Sequence, residues 1–348
     1  MAQGILDIDL NAITANWRAL DAATGPDVRT AVMVKADGYG LGAGPVARAL
    51  MAAGARQFFV ALTEEGVSLR HALGFEAEIF ILSGHMQGDT ARIADFGLTP
   101  VLTSRDQAVR HLAELPGHEF GVQIETGMNR LGMDEAHWQA MAPGLLARGP
   151  RLIMSHLACS DEPDHPLNAR QLANFRRLTD GTGVARSFAA TGGIFLGPDY
   201  HFDLTRPGIG LYGGAPYADA RPVTRLSLPV VQVREVGPGD EVGYNATWVA
   251  ERPARIATLA AGYADGLFRA LSNRAVLWHE KTPCPLVGRV SMDLITVDVT
   301  AVAGVPHALD LLGPAQGIDD LAAAAGTIGY EILTALGQRY ARQYTGAQ

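Results

Sequence analysis

Along the first 200 or so positions, short runs of apolar and β-branched residues alternate with longer stretches whose apolar residues recur at helical spacing. The runs at 31–34, 58–62, 78–82, 99–102, 120–124, 152–156, 187–190 and 202–206 predict strands. Between them, 45–53 predicts a helix closed by Gly54 at a C-cap position, and Ser104 with Gln107 three residues on has the spacing of a capping box. At 167–178, Leu167, Gln171, Asn174 and Phe175 fall on adjacent helical turns. Eight strand–helix units predict an α/β fold, a (β/α)8 TIM-like barrel, with a doubly wound open sheet as the competitor. After about Pro222 the texture changes: 226–236 (LSLPVVQVREV), 255–259, 275–278 and 294–299 predict strands parted by glycine and proline, with little helix before Leu321. The expected division is a barrel domain over 1–222 and a mainly β C-terminal domain over 223–348. They are joined through PYADARP at 216–222, and the first strand, about 3–10, is a candidate to pair with the second domain.

Composition narrows the function classes. The chain has 348 residues, 48% hydrophobic and 18% charged, which suits an ordinary globular protein. Its 28 Lys and Arg against 36 Asp and Glu leave a formal charge of −8, and no basic run stands out. Nucleic acid is therefore an unpromising partner. Two cysteines, Cys159 and Cys284, have no metal-ligand spacing, so neither a disulfide framework nor a metal site is expected. Nowhere do 18 apolar residues run uninterrupted, and the first 17 residues lack a basic segment followed by an apolar one. No membrane association and a cytoplasmic location are the expectation.

In a barrel the active site lies where strands end, so unusual residues at strand C-termini carry the chemistry. The segment AVMVKADGYGLG puts Lys35 at the end of the first predicted strand, followed by Tyr39 in a glycine-punctuated turn. A lysine there loses hydration, which lowers its pKa and frees the amine as a nucleophile, as a Schiff-base lysine needs. Taken alone it could snorkel to solvent. Arg130 follows the fifth strand, His156 ends the sixth, Thr191 follows the seventh and Arg206 ends the eighth. Singly, each has a plain structural reading; their joint position at one mouth favours a site. Gly38, Gly40, Gly42 and Gly44 are spaced GxGxGxG and not GxGxxG, which disfavours a dinucleotide fold. The amides after Arg206, in Pro207-Gly208-Ile209-Gly210, are placed to cradle a phosphate. A phosphate site and a Schiff-base lysine together suggest pyridoxal 5'-phosphate.

Six motifs carry a resemblance over nearly the whole chain: AVMVKADGYGLG, ETGMNRLG around Arg130, MSHLACSDE around His156, RPGIGLYGG from Arg206, AAGYADGLFR around Tyr263, and VGRVSMD ending at Asp293. In this order they resemble the bacterial alanine racemases, fold-type III pyridoxal phosphate enzymes. The resemblance implies an isomerase interconverting L-alanine and D-alanine by a two-base mechanism and supplying D-alanine for peptidoglycan. Lys35 would hold the cofactor and act as base on one face of the substrate's α-carbon. Tyr263, from the other subunit of a homodimer, would act on the opposite face. Arg130 and His156 would support these bases, and Arg206 would partner the pyridine nitrogen. Tyr39, Thr191 and the amides of Gly208 and Ile209 would hold the phosphate. Met292, also from the partner chain, would offer its backbone amide to the substrate carboxylate, with Asp293 in support.

The chain departs from that pattern in places. Gln123 stands where many members have a carbamylated lysine bracing the arginine; it can accept a hydrogen bond from Arg130 but carries no charge. Either Arg130 is held less firmly, or an anion such as chloride takes the place. Ala190 and Thr191 replace an asparagine–serine pair. Gln338 replaces a phosphate-binding tyrosine, with Tyr340 as a loosely aligned substitute. A broad-specificity amino-acid racemase, a basic amino-acid decarboxylase of the same fold and a pyridoxal phosphate carrier are the alternatives. The Tyr263 and Met292 motifs argue against the last two.

Overall fold

The computed structural model describes residues 3–346; the outermost positions of the two expected domains, 1–2 and 347–348, lie outside the described residues. The chain forms two compact units. One runs from Ile13 to Ala220; the other combines the stretch ending at Ala12 with the chain from Arg221 onward.

After β1 (Ile5–Asp9) and a helix over Leu10–Thr24, the strands of the first unit are β2 (Arg29–Thr30), β3 (Val32–Met33), β4 (Gln57–Val60), β5 (Glu78–Ile81), β6 (Thr99–Leu102), β7 (Gly121–Gln123), β8 (Leu152–Met154), β9 (Arg186–Ser187) and β10 (Leu204–Thr205). From β3 to β9 they form a seven-stranded parallel sheet in sequence order, with β10 parallel to β2. β2 and β3 are one strand broken at Ala31, whose N–H donates to Thr205 O at 2.9 Å. On its other side β10 meets β9 through Arg206 N to Ala189 O (2.9 Å) and Asp203 N to Arg186 O (3.0 Å). The sheet thus returns on itself, giving the barrel predicted and not the open sheet. Its strands are short and almost wholly buried, because helices cover one face and barrel side chains the other. A core of Phe120, Val122, Trp138, Phe175 and Phe188 packs between the later strands and helices, with Phe175 stacked on Phe188 at 4.8 Å.

The Ser104 hydroxyl accepts the Gln107 N–H, as predicted, but the return arm lands one residue early: Gln107 Oε1 accepts Thr103 N–H at 2.9 Å. The helix predicted at 167–178 spans Pro166–Thr179.

The second unit is mainly β: β11 (Thr224–Val236), β12 (Glu241–Val242), β13 (Trp248–Val249), β14 (Ala254–Leu259), β15 (Val276–His279), β16 (Thr282–Pro285), β17 (Ile295–Asp298), β18 (Ala308–Leu312) and β19 (Ala341–Thr345), with short helices at Ile318–Ala325 and Gly329–Ala335. Its main sheet has the order β16-β15-β18-β11-β1-β19, and β11 also pairs with β14. β11 serves different neighbours along its length: residues 224–229 pair with β1 and β18, and residues 230–236 with β14, across a register shift between Val230 and Gln232. β1 lies antiparallel to β11 and parallel to β19. Among the described residues no helix is long and apolar enough to cross a membrane.

Candidate active site

Lys35 follows directly on the first barrel strand, where Val34 N–H still donates to Phe59 O at 2.9 Å. The next five residues, Ala36 to Gly40, all have positive φ, between 52° and 82°. Three of them are not glycine, and each left-handed residue costs about 1–2 kcal/mol. Tertiary contacts hold this turn. Glu65 accepts Ala36 N–H at 2.6 Å with one oxygen, and Ala61 N–H at 2.7 Å and Leu62 N–H at 3.2 Å with the other. Asp37 accepts Ala43 N–H at 2.8 Å. Tyr39 stacks on Tyr212 at 4.6 Å, and the Tyr212 hydroxyl donates to Met33 O at 2.9 Å. The turn therefore aims Lys35 and Tyr39 as a rigid unit.

The structure brings Lys35, Arg130, His156 and Arg206 within electrostatic reach of one another. Burial lowers the Lys35 pKa, the Arg130 cation lowers it further, and Glu65 partly opposes both. His156 falls to about 3 through burial and then the charges of Arg206, Arg130 and Lys35, so it is neutral at pH 7. Burial brings Arg206 down to about 9, which leaves it charged. This 2% exposed guanidinium donates to Ser187 Oγ and, at 2.7 Å, to Ser155 O. Ser155 Oγ lies 2.9 Å from Thr126 Oγ1, and Gln171 Nε2 donates to both Thr126 Oγ1 (3.1 Å) and His156 O (2.9 Å). One helix side chain thus braces the ends of β7 and β8. Gln123 does not reach for the Arg130 guanidinium with its amide; its Nε2 donates to Leu131 O at 2.9 Å and so steadies the Arg130 loop through the backbone.

Thr191, Gly208, Gly210 and Tyr39 form a second cluster, with Ile209 between the two glycines in the chain. Thr191 Oγ1 accepts Gly208 N–H at 3.0 Å and Gly210 N–H at 3.3 Å, so two amides already converge on one oxygen. A Cβ on Gly208 would lie 2.2 Å from the Tyr39 hydroxyl. Only glycine lets that hydroxyl stand over the turn opening the short helix Ile209–Tyr212. Converging amides and hydroxyls without a Cβ between them fit a phosphate.

Tyr263, Met292 and Asp293 lie in the β unit. Tyr263 N–H donates to Ser291 O at 2.9 Å, and Ala264 N–H to Met292 O at 3.0 Å, with both the tyrosine and methionine side chains exposed. Asp293 pairs with Arg339 at 2.7 Å. Tyr340 is buried beside Gly4, its hydroxyl without a partner among the described residues, so it is packed as core.

Sequence reasoning passed over Glu65, Ser187, Tyr212, Asp265 and Arg339. Asp265 lies inside the AAGYADGLFR motif, and Glu65 three residues from a helix start is the acidic arm of a cap. Ser187 and Arg339 carry no local signal.

A closed parallel barrel with a lysine of lowered pKa and neighbouring cations at its strand ends, followed in sequence by a β unit, has the layout of a barrel enzyme whose site lies at the strand ends. Residues 8–216 match the alanine racemase N-terminal domain and residues 223–344 the alanine racemase C-terminal domain. The chain is 64% identical over 346 residues to an alanine racemase of Dinoroseobacter shibae and 63% identical over 344 residues to one of Cereibacter sphaeroides, each alignment covering 99% of both chains. A crystal structure of alanine racemase from Bartonella henselae with covalently bound pyridoxal phosphate is similar at a TM-score of 0.93 and 36% identity, over 99% of this chain and 100% of that one. The chain belongs to the alanine racemase family and is an isomerase of that type.

Proposed function

We propose that this protein interconverts L-alanine and D-alanine with pyridoxal 5'-phosphate held at Lys35, as a homodimer in the cytoplasm, and supplies D-alanine for peptidoglycan. The observation that carries this reading is the Lys35 amine, lowered in pKa by burial and by Arg130, at the end of the first barrel strand. The amide and hydroxyl cluster of Thr191, Gly208 and Tyr39 supports it.

Bound pyridoxal phosphate supplies an electron-withdrawing ring that makes the substrate's α-proton acidic. Tyr39, Thr191 and the amides of Gly208 and Ile209 would hold the phosphate, the Gly208 amide exchanging its bond to Thr191 Oγ1 for one to a phosphate oxygen. Arg206 would partner the ring nitrogen; because a guanidinium keeps its proton, it would leave that nitrogen unprotonated. Lys35 Nζ anchors the group and, as a free amine, takes or returns the α-proton on one face. The partner subunit's Tyr263 hydroxyl does the same on the other. A proton taken from one side and returned on the other inverts the carbon without turning it over. Arg130 keeps a cation beside Lys35, which disfavours the ammonium form. His156 is neutral at pH 7 and so adds no further cation to that cluster. The partner subunit's Met292 amide meets the substrate carboxylate, and Asp293 supports that segment.

Chiral chromatography of L-alanine, L-serine and L-lysine, each incubated with cofactor-loaded protein and with Lys35→Ala, tests this. The expected result is D-alanine in excess of the other D-products, abolished in the variant. Comparable racemisation of all three points to a broad-specificity racemase. No racemisation of any sinks the reading in favour of a carrier or decarboxylase.

A further inference from the structure

Tyr263 and Met292 stand on two separate segments of the β unit and are 47% and 54% exposed, so packing does little to hold either. Their relative position depends on what ties the segments together. The two backbone bonds to Ser291 O and Met292 O are one tie, and they need Gly262: a Cβ there would lie 2.3 Å from Met292 O. Arg339, more than 40 residues from either segment, is the other. It spends all three guanidinium nitrogens on two carboxylates. Nε and Nη2 grip Asp265 in a fork at 2.6 and 2.8 Å, while Nη1 takes Asp293 at 2.7 Å. Asp265 lies two residues past Tyr263 and is itself buried, its Oδ2 also accepting Gly262 N–H at 2.8 Å and its carbonyl accepting Gly337 N–H at 3.0 Å. Asp293 follows Met292 directly.

We infer that Arg339 is a positioning residue for racemisation, clamping Asp265 and Asp293 so that the Tyr263 hydroxyl and the Met292 amide keep one fixed separation. The inference rests on the roles of Tyr263 and Met292 in the preceding section. A planar five-donor fork is what the task requires; a lysine ammonium can touch both carboxylates with its three donors but cannot grip Asp265 bidentately, and it fixes no plane. An ordinary surface ion pair would hold neither segment, but here one end of the bridge is a buried aspartate already bonded to the Tyr263 turn.

The test uses the full-length, cofactor-loaded enzyme and its Arg339→Gln, Arg339→Lys and Asp293→Asn variants, with thermal unfolding measured alongside. Rates are taken in both directions with protiated and α-deuterated alanine. Arg339→Gln is expected to lower kcat on the order of 10²-fold, the size of loss a roughly 1 Å misplacement brings. The α-deuterium isotope effect should change in the direction whose isotope effect Tyr263→Phe also changes. Arg339→Lys recovers only part of the rate. Asp293→Asn, which frees the Met292 side alone, raises KM more than it lowers kcat. Should Arg339→Gln fail to fold, the lysine and asparagine variants decide by the same readouts. Unchanged rates and isotope effects, a melting shift alone, or full recovery by lysine would overturn the inference. A wild-type enzyme inactive on alanine would instead sink the underlying reading, which keeps the two failures apart.

Discussion

The two clusters of chemistry-bearing residues are built on opposite principles. In the barrel unit Arg206, Thr191 and Tyr39 are buried, and burial is the leading cause of the shifts at Lys35, His156 and Arg206. In the β unit Tyr263 and Met292 are exposed, and their segments are tied by backbone bonds and the half-exposed Arg339. Protonation state is a property of solvation, so groups that must titrate away from their usual range are placed where water is excluded. Position needs only ties, and ions can supply them in water, where salt screens them.

Acid should separate the two regions most. In the barrel unit His85 and His111 are both fully buried, with their Nδ1 atoms 3.2 Å apart, so at least one must be neutral. Burial lowers His111 from 6.5 to about 4. Between those values the unfolded chain binds the extra proton, so stability is full above about pH 6.5, falls as pH drops and is lost by about pH 4. The total for this residue is about 3 kcal/mol. Urea denaturation across that window should show the slope, and His111→Gln should reduce it, the remainder coming from His156, which burial lowers in the same direction; equal slopes in both proteins would remove His111 from the account. A smaller effect is expected from Ser187→Ala, which takes one acceptor from the buried Arg206 guanidinium. It should cost about 1.5–3 kcal/mol in unfolding free energy, the range for hydrogen bonds to charged groups. A change within about 0.5 kcal/mol, typical of neutral surface sites, would show that Arg206 does not depend on that hydroxyl. The smallest effect is salt. At about 1 M, where the Debye length is near 3 Å, the Arg339 bridges weaken while the buried Arg206 bonds do not. A salt titration of kcat should therefore show a modest fall in wild type that is absent in Arg339→Gln. A fall of the same size in both would place the salt sensitivity elsewhere.

Much of the barrel was legible because its strands are apolar runs and its helices carry helical spacing, both local properties. The strand predicted at 99–102 is β6 to the residue, and that at 226–236 is most of β11. The short strands β12, β13, β16, β18 and β19 have no counterpart among the predicted ones. Two-residue strands carry no periodicity, and β16, with Pro283 and Pro285 in four residues, reads as a turn until β15 pairs with it. In the site, Lys35, His156 and Arg206 announced themselves as polar residues ending apolar runs. Ser187 did not, since a serine inside a strand is unremarkable until Arg206 points at it from 19 residues away.

By itself, then, the sequence determined the barrel, the β domain that follows it, and the six motifs carrying the resemblance, because each is written in neighbouring residues. Only the tertiary structure decided how those motifs are held. The left-handed turn after Lys35 depends on Glu65, 29 residues from Ala36, and the Tyr263 segment on Arg339, 74 residues from Asp265. The lowered pKa of Lys35 comes from burial and from Arg130. Solvation and charge act through space, and a chain written in one dimension does not record which distant groups will meet.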